Sequence, residues 1–271
     1  MASSEKLPGK ALTRDGTLKT SPVFIKGGEE IIYTVQESPS LMRLRVADGT
    51  TERLHPEATT SEFEAAFTPD GRFRAFAQSR GNLKLNLIIR DSRDGKESEF
   101  DPGGGFKGMK QLSFAPDGSR VIFSMAANNG IQVHSVNTAG QDKKLLTASG
   151  LNQWPTFSPD GKRIAFGSDR DGNYEIYVMD ANGDNPRRLT ENAAMDFRPA
   201  WSPDGKRLAF TSNRDGNYEI YVMRADGSAV RRVTNNPERD DYASWHPNGK
   251  QLVVVSERDG SSDLWLLDVP E

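Results

Sequence analysis

Residues Phe157 to Thr190, FSPDGKRIAFGSDRDGNYEIYVMDANGDNPRRLT, recur almost intact from Trp201 to Thr234 as WSPDGKRLAFTSNRDGNYEIYVMRADGSAVRRVT. A unit that recurs beside itself is a unit of architecture, and its punctuation shows which one. Pro159-Asp160-Gly161 is a tight turn: proline presets φ at the first corner, aspartate bonds nearby backbone, and glycine takes the positive φ. Lys162 to Ser168 is apolar at successive positions, as in a strand covered on both faces. Asp171-Gly172-Asn173 ends it, Glu175 to Met179 supplies a β-branched and aromatic third strand, and Asn182-Gly183 makes the next turn. Arg187 to Thr190 is then a short outer strand whose paired arginines discourage edge association. Four strands at a period of roughly 40 to 50 residues is the pattern of a propeller blade.

Glycines equivalent to Gly161 stand at Gly28, Gly71, Gly118, Gly205 and Gly249, which makes six units. Four positions before each glycine stands an aromatic: Phe24, Phe67, Phe114, Phe157, Trp201 and Trp245. This ring is expected to pack blade against blade at the base of the innermost strands. The first blade is degenerate, with IKGG in place of SPDG, and a glycine-rich linker, Pro102 to Gly105, joins blades two and three. The sixth unit ends after a third strand, SSDLWLLDVPE, whereas Gly9 to Thr13 (GKALT) matches the fourth-strand runs PRRLT and VRRVT. The sequence therefore predicts an all-β, six-bladed β-propeller of four-stranded antiparallel blades. Its ring is closed by the N-terminal strand at 9–13 pairing with the last blade, with a flexible tail at 1–8 and one domain over 9–271.

The chain has 271 residues and a net charge of -3, with basic and acidic residues interspersed. That distribution lacks the concentrated positive footprint of a nucleic-acid binder. Cysteine is absent, which excludes disulfides, thiol catalysis and cysteine-ligated zinc. The opening MASSEKLPGK carries no apolar signal core, and no run approaches the roughly 18 apolar residues of a membrane span. A monomer is expected.

The segments SPDGKRIAF, RDGNYEIYVMD and PRRLT resemble the TolB-like family, also called the WD40-like β-propeller repeat. The resemblance implies a six-bladed propeller, often periplasmic, that serves as a binding scaffold. In the family's namesake it binds a lipoprotein partner and colicin peptides at one mouth of the channel. Similar repeats precede the hydrolase domain of prolyl-oligopeptidase-like enzymes.

No G-x-S-x-G elbow, P-loop or dinucleotide fingerprint occurs. His55, His134 and His246 fall at non-equivalent repeat positions and read as structural. No catalytic residue, cofactor or metal ligand is assigned. Asp169, Asp171, Asn173 and Glu175, echoed by Asn213, Asp215, Asn217 and Glu219, space oxygens at alternate positions as a calcium loop does. Gly172 comes fourth rather than sixth, so a hairpin turn is the reading preferred. Five positions before each ring aromatic stand Lys19, Glu62, Met109, Asn152, Asp196 and Asp240, where the chain enters each innermost strand. These side chains are expected to ring one mouth of the central channel and to make it negative. The expected binding site is Glu62, Asn152, Asp196 and Asp240, with Arg198, Arg239, Asp241 and Tyr242 on adjoining turns. The structural alternative is that the acids cap backbone N–H groups in the connections. The leading functional reading is a non-catalytic protein- or peptide-binding scaffold using the channel-mouth face. A cation or small ligand in the channel, or a hydrolase-type propeller enzyme, are the alternatives.

Overall fold

In the first five blades the strands follow one another outward in chain order, because each connection within a repeat is a short turn that admits only antiparallel pairing. The computed structural model describes residues 9–81, 84–103 and 109–269; the expected tail at 1–8 and Gly104 and Gly105 of the expected linker lie outside the described residues. Six separate four-stranded sheets result. Blade four shows the plan: Asn152–Phe157, Arg163–Ser168, Glu175–Asp180 and Arg187–Arg188. Blade five repeats it with Asp196–Trp201, Arg207–Ser212, Glu219–Arg224 and Arg231–Arg232.

The SPDG turns hold as expected. Gly161 N–H donates to the Ser158 carbonyl at 2.8 Å, Lys162 N–H to Asp160 Oδ1 at 3.1 Å, and Arg163 N–H to Ser158 Oγ at 3.0 Å. Blade one departs from the plan with a short 3-10 turn, Lys26–Gly28. Gly28 has φ +101°, and a side chain there would run into the His246 ring, which lies edge-on to Phe24 at 4.9 Å. The glycine of IKGG thus makes room for a histidine of blade six.

Each of the six blade junctions holds one cluster of buried apolar side chains. The ring aromatics sit in them: Trp201 packs with Val178 and Phe210 between blades four and five, Trp245 with Val222 and Leu252 between five and six. Each indole also reaches back to its neighbour. Trp201 Nε1 donates to the Thr156 carbonyl at 3.3 Å, Trp245 Nε1 to that of Ala200 at 3.1 Å. Area removed from water at ~25 cal/mol per Å² makes such junctions the main favourable term, and no blade buries its faces alone.

The ring closes as the sequence predicts. Gly9–Ala11 pairs antiparallel with Ser261–Asp268, Lys10 opposite Leu266, and the contact continues through Leu12 N–H to the Leu264 carbonyl at 2.8 Å. Thr13 Oγ donates to Asp263 Oδ1 at 2.7 Å and accepts from Leu264 N–H at 3.0 Å. No helix among the described residues is long and apolar enough to cross a membrane.

Candidate binding site at the channel mouth

The six residues expected to ring the mouth are all buried, between 0% and 1% exposed. Most are clamped by neighbouring side chains or backbone. Glu62 meets His55 Nδ1 at 2.9 Å, Asn152 accepts from Arg170 Nη2 at 2.9 Å, and Asp196 accepts from Arg214 Nη2 at 2.7 Å and Asn192 Nδ2 at 2.8 Å. Lys19 donates to the Ser262 carbonyl at 3.1 Å and lies 3.3 Å from Asp263, tying blade one to the closing strand. Met109 joins the apolar core between blades two and three. These groups therefore tie the connections together under the mouth, and their charge is met by partners rather than displayed.

Asp240 is the exception. Among the described residues neither carboxylate oxygen has a hydrogen-bond partner, and Arg258, at the position of Arg214, stacks over Trp265 at 4.2 Å with no partner there for its Nε and Nη2. Burial pushes the Asp240 pKa up to about 6, and the nearby charge of Glu219 adds to it. The Ser256 and Thr234 hydroxyls and Arg258 oppose that shift without bonding the carboxylate in good geometry.

Of the expected residues, Arg198, Arg239, Asp241 and Tyr242 do come together. Asp241 is 1% exposed and accepts from Arg198 Nη1 at 2.9 Å, from Arg239 Nη2, and from Thr211 Oγ1 at 2.8 Å. Arg198 Nη2 donates to the Tyr242 hydroxyl at 3.0 Å, and the guanidinium lies 4.0 Å from the centre of that ring. Two arginines from adjacent blades thus share one buried carboxylate, with the Arg198 guanidinium stacked on Tyr242 and that of Arg239 on Tyr218.

The residues that face the channel are found two positions further along. In every first strand the register slips at one residue in the left-handed region: Ser21, Glu64, Gln111, Trp154, Arg198 and Tyr242, with φ between +50° and +57°. Such a bulge turns the side chain out of the ladder, and six non-glycine residues held there mark a constraint shared by all blades. All six line one central cavity of about 400 Å³. Prolines such as Pro22, Pro155 and Pro199, the ring aromatics Phe67, Phe114 and Phe157, and serine and threonine hydroxyls complete its wall.

The polar atoms of this set are linked from blade to blade. Gln111 N–H donates to Glu64, Trp154 N–H donates to Gln111 Oε1 at 3.3 Å, and the Arg198 guanidinium lies 5.2 Å from the Trp154 ring. Burial raises the Glu64 pKa, against the Gln111 N–H and the charges of Lys110 and Arg198. Burial likewise raises that of Tyr242, where Arg198 opposes and Asp241 and Glu64 reinforce. Two buried donors, Trp154 Nε1 and Arg198 Nε, have no acceptor among the described residues.

Of these six cavity residues the sequence reading names Arg198 and Tyr242, on adjoining turns, and not Ser21, Glu64, Gln111 or Trp154. The available signal was position, three before each ring aromatic, with proline following in blades one, four and five. A residue before proline is ordinarily extended, which argues against the conformation found.

The calcium-like loops are used as turns. Asp169 Oδ1 accepts Leu151 N–H at 2.6 Å, the Tyr177 hydroxyl donates to Asp171, and Asn173 Nδ2 donates to the Asn192 carbonyl at 3.1 Å. Glu175 is buried and accepts from Arg188 Nη2 at 2.8 Å, Thr190 Oγ1 at 2.6 Å and Asn192 N–H at 2.8 Å. The four side chains that alternate along the sequence are thus each engaged with the protein's own groups. Among the described residues no group of three or more acidic or histidine side chains is placed to hold a metal.

Fold and channel together define a six-bladed β-propeller with WD40-like repeats and an open central cavity. The chain belongs to the TolB beta propeller domain family, whose model matches residues 126–270, just over half of its length. Among solved structures it is similar to a putative TolB from Agrobacterium tumefaciens, at 19% identity and TM-score 0.76 over 97% of this chain and 94% of that one. It is also similar to TolB from Acinetobacter baumannii, at 22% identity and TM-score 0.70 over 91% of this chain and 65% of that one. A gluconolactonase from Xanthomonas campestris matches at 16% identity and TM-score 0.70, over 96% of this chain and 89% of that one. At such identities the likeness is one of fold. No curated protein matches the sequence.

Proposed function

We infer that the protein is a non-catalytic protein- or peptide-binding module that takes its partner at the channel mouth. One observation carries this reading: six equivalent bulge residues, one from each blade, converge on a single cavity where the Trp154 and Arg198 donors are buried without acceptors. A buried donor left unpaired costs on the order of 1–3 kcal/mol, and a ligand that brings an acceptor recovers it. Strained backbone at ligand contacts is the usual company of such donors. Because the fold is shared with an enzyme as well as with TolB proteins, the choice rests on the site. The charged groups at the mouth, Arg198, Asp241 and Arg239, are spent on one another, an arrangement suited to presenting a rigid surface. The partner segment carries a hydrogen-bond acceptor into an apolar channel and sets aromatic or aliphatic surface against Trp154 and Tyr242.

The test compares capture of partners by the wild-type chain, by a Trp154→Phe/Arg198→Gln variant, and by Asp160→Asn, whose side chain is outside the cavity lining. Trp154→Phe keeps a ring and removes the orphan N–H. The expected result is a loss of affinity of about tenfold or more for the channel variant and none for Asp160→Asn, consistent with two buried hydrogen bonds. Undiminished capture by a folded channel variant overturns the reading.

A further inference from the structure

One pair of core positions is apolar in five blades and cationic in blade two. The second-strand residue opposite each ring aromatic is Ile31, Val121, Ile164, Leu208 and Leu252 in blades one, three, four, five and six. Each is 0% exposed, and its third-strand partner, Leu44, Val136, Met179, Met223 or Leu267, is buried with it. In blade two the same places hold Arg74, opposite Phe67, and Arg90, opposite Arg74. Like charges directly opposite in a sheet are destabilising, and the exchange also removes an apolar pair from the seam between blades.

A third arginine joins them from blade one. Arg43 stands opposite Ile32, which packs with Phe76 and Ile88, so the side chain leaves on the face turned to blade two. The equivalent residue is apolar in blades two, four, five and six: Ile89, Val178, Val222 and Leu266. Arg43 donates to Glu52 at 2.9 Å and lies 3.5 Å from Glu30, while Arg90 donates to Glu97 at 2.7 Å and lies 5.2 Å from the Phe76 ring. Glu52 and Glu97 are rim groups, with side chains 60% and 39% exposed, and exposed pairs of that kind hold weakly. Arg74 lacks even such a partner: among the described residues its half-buried side chain makes no hydrogen bond or ion pair. Burial, with the charges of Arg90 and Arg43, pushes the Arg74 pKa down, as expected of a cation set among cations.

We propose that Arg74, flanked by Arg43 and Arg90, binds a phosphate monoester in the seam between blades one and two. Such a group brings about two negative charges at neutral pH and three acceptor oxygens, enough to meet three guanidinium forks. A carboxylate has one charge and two oxygens and meets fewer. Arg74 carries the recognition because its charge is uncompensated in the chain, and Arg43 and Arg90 turn to the ligand as their rim carboxylates give way. The cationic pair then has a reason to stand where every other blade has a core pair. None of the three arginines lines the central cavity, so the site is separate from the channel and independent of the function proposed there.

The test is a calorimetric titration of the full chain with glycerol phosphate and with acetylated, amidated glycyl-phosphoseryl-glycine, each set against glutarate. Saturable binding of a phosphate ester is expected, weakening as salt rises and moving the Arg74 and Arg90 Nε–H resonances. Tighter binding of the first places the phosphate on a small molecule, and of the second on a modified side chain of a partner protein. Arg74→Ile, which installs the residue of blade four, is expected to melt no lower than wild type and to weaken binding by about tenfold or more. Arg90→Met, also the residue of blade four, is expected to weaken it as well, and Trp154→Phe to leave it unchanged. Absence of saturable binding, equal binding of glutarate, or wild-type affinity in folded Arg74→Ile overturns the proposal.

Discussion

Removal of residues 1–13 is expected to lower the melting temperature by about 10–20 °C and to cause aggregation. The deletion takes away the Gly9–Ala11 ladder, the Leu12 to Leu264 hydrogen bond, and both bonds of the Thr13 hydroxyl. It also exposes the core around Leu12, which is 8% exposed and packs with Tyr33, Leu44 and Leu264. Hydrogen bonds at about 1 kcal/mol each and burial of one leucine at ~1.5–3 kcal/mol bring the loss to roughly 5 kcal/mol or more. For a chain of this size each kcal/mol shifts melting by about 2–4 °C. The strand left at the sheet edge, Ser261–Asp268, contains Leu264, Trp265, Leu266 and Leu267, and such an edge recruits other chains. Thr13→Val isolates the hydroxyl: it keeps the shape, strands the Leu264 N–H, and is expected to cost about 2 kcal/mol. A truncated protein that melts like the full chain refutes closure through this strand.

Asp240→Asn is expected to stabilise the protein at pH 7.5, an unusual direction for a change at a fully buried position. Folding raises the Asp240 pKa from 3.8 to about 6. A raised acid pKa means that the folded state favours the protonated form, so the contribution to stability is complete below about pH 4 and is lost as pH climbs through 6. At ~1.4 kcal/mol per pKa unit the cost above that window is on the order of 3 kcal/mol. Asparagine keeps the volume without the charge. The variant is expected to melt about 5–10 °C above wild type at pH 7.5 and to match it near pH 4. Asp196→Asn, at the equivalent position, is expected to lower the melting temperature, because Arg214 and Asn192 both donate to that carboxylate and lose a buried acceptor. Lower melting of Asp240→Asn at pH 7.5 would show that Arg258 is the effective counter-ion of Asp240.

What was legible in the sequence was the part repeated by covalent chemistry. The SPDG turn, the aromatic at each junction and the strand completed by GKALT all rest on residue types whose local conformations have few alternatives: proline, glycine, and bulky apolar side chains at fixed spacing. The face of the first strand was not legible. In a regular strand Asp196 and Arg198 point the same way, so a spacing argument places both at the mouth. The bulge at Arg198 breaks that rule, sending Asp196 into the connection beneath and Arg198 into the channel. Nothing in Arg198-Pro199 announces a positive φ, and Glu64 and Gln111 lack even the proline. The special state of Asp240 was hidden for a different reason. Its would-be partner Arg258 is present at the repeat position, but Trp265 stands where blades four and five have Tyr177 and Tyr221 and holds the guanidinium 4.2 Å from its ring, against 4.7 Å for Arg214 over Tyr221.

The channel account is tested most directly by hydrogen exchange on the protein alone and saturated with a captured partner. Protection is predicted at the bulged entries of the first strands, 62–64, 109–111, 152–154, 196–198 and 240–242, with the SPDG turns at 159–162 and 203–206 unchanged. Protection confined to those turns, with the bulged entries exchanging as in the free protein, would contradict it.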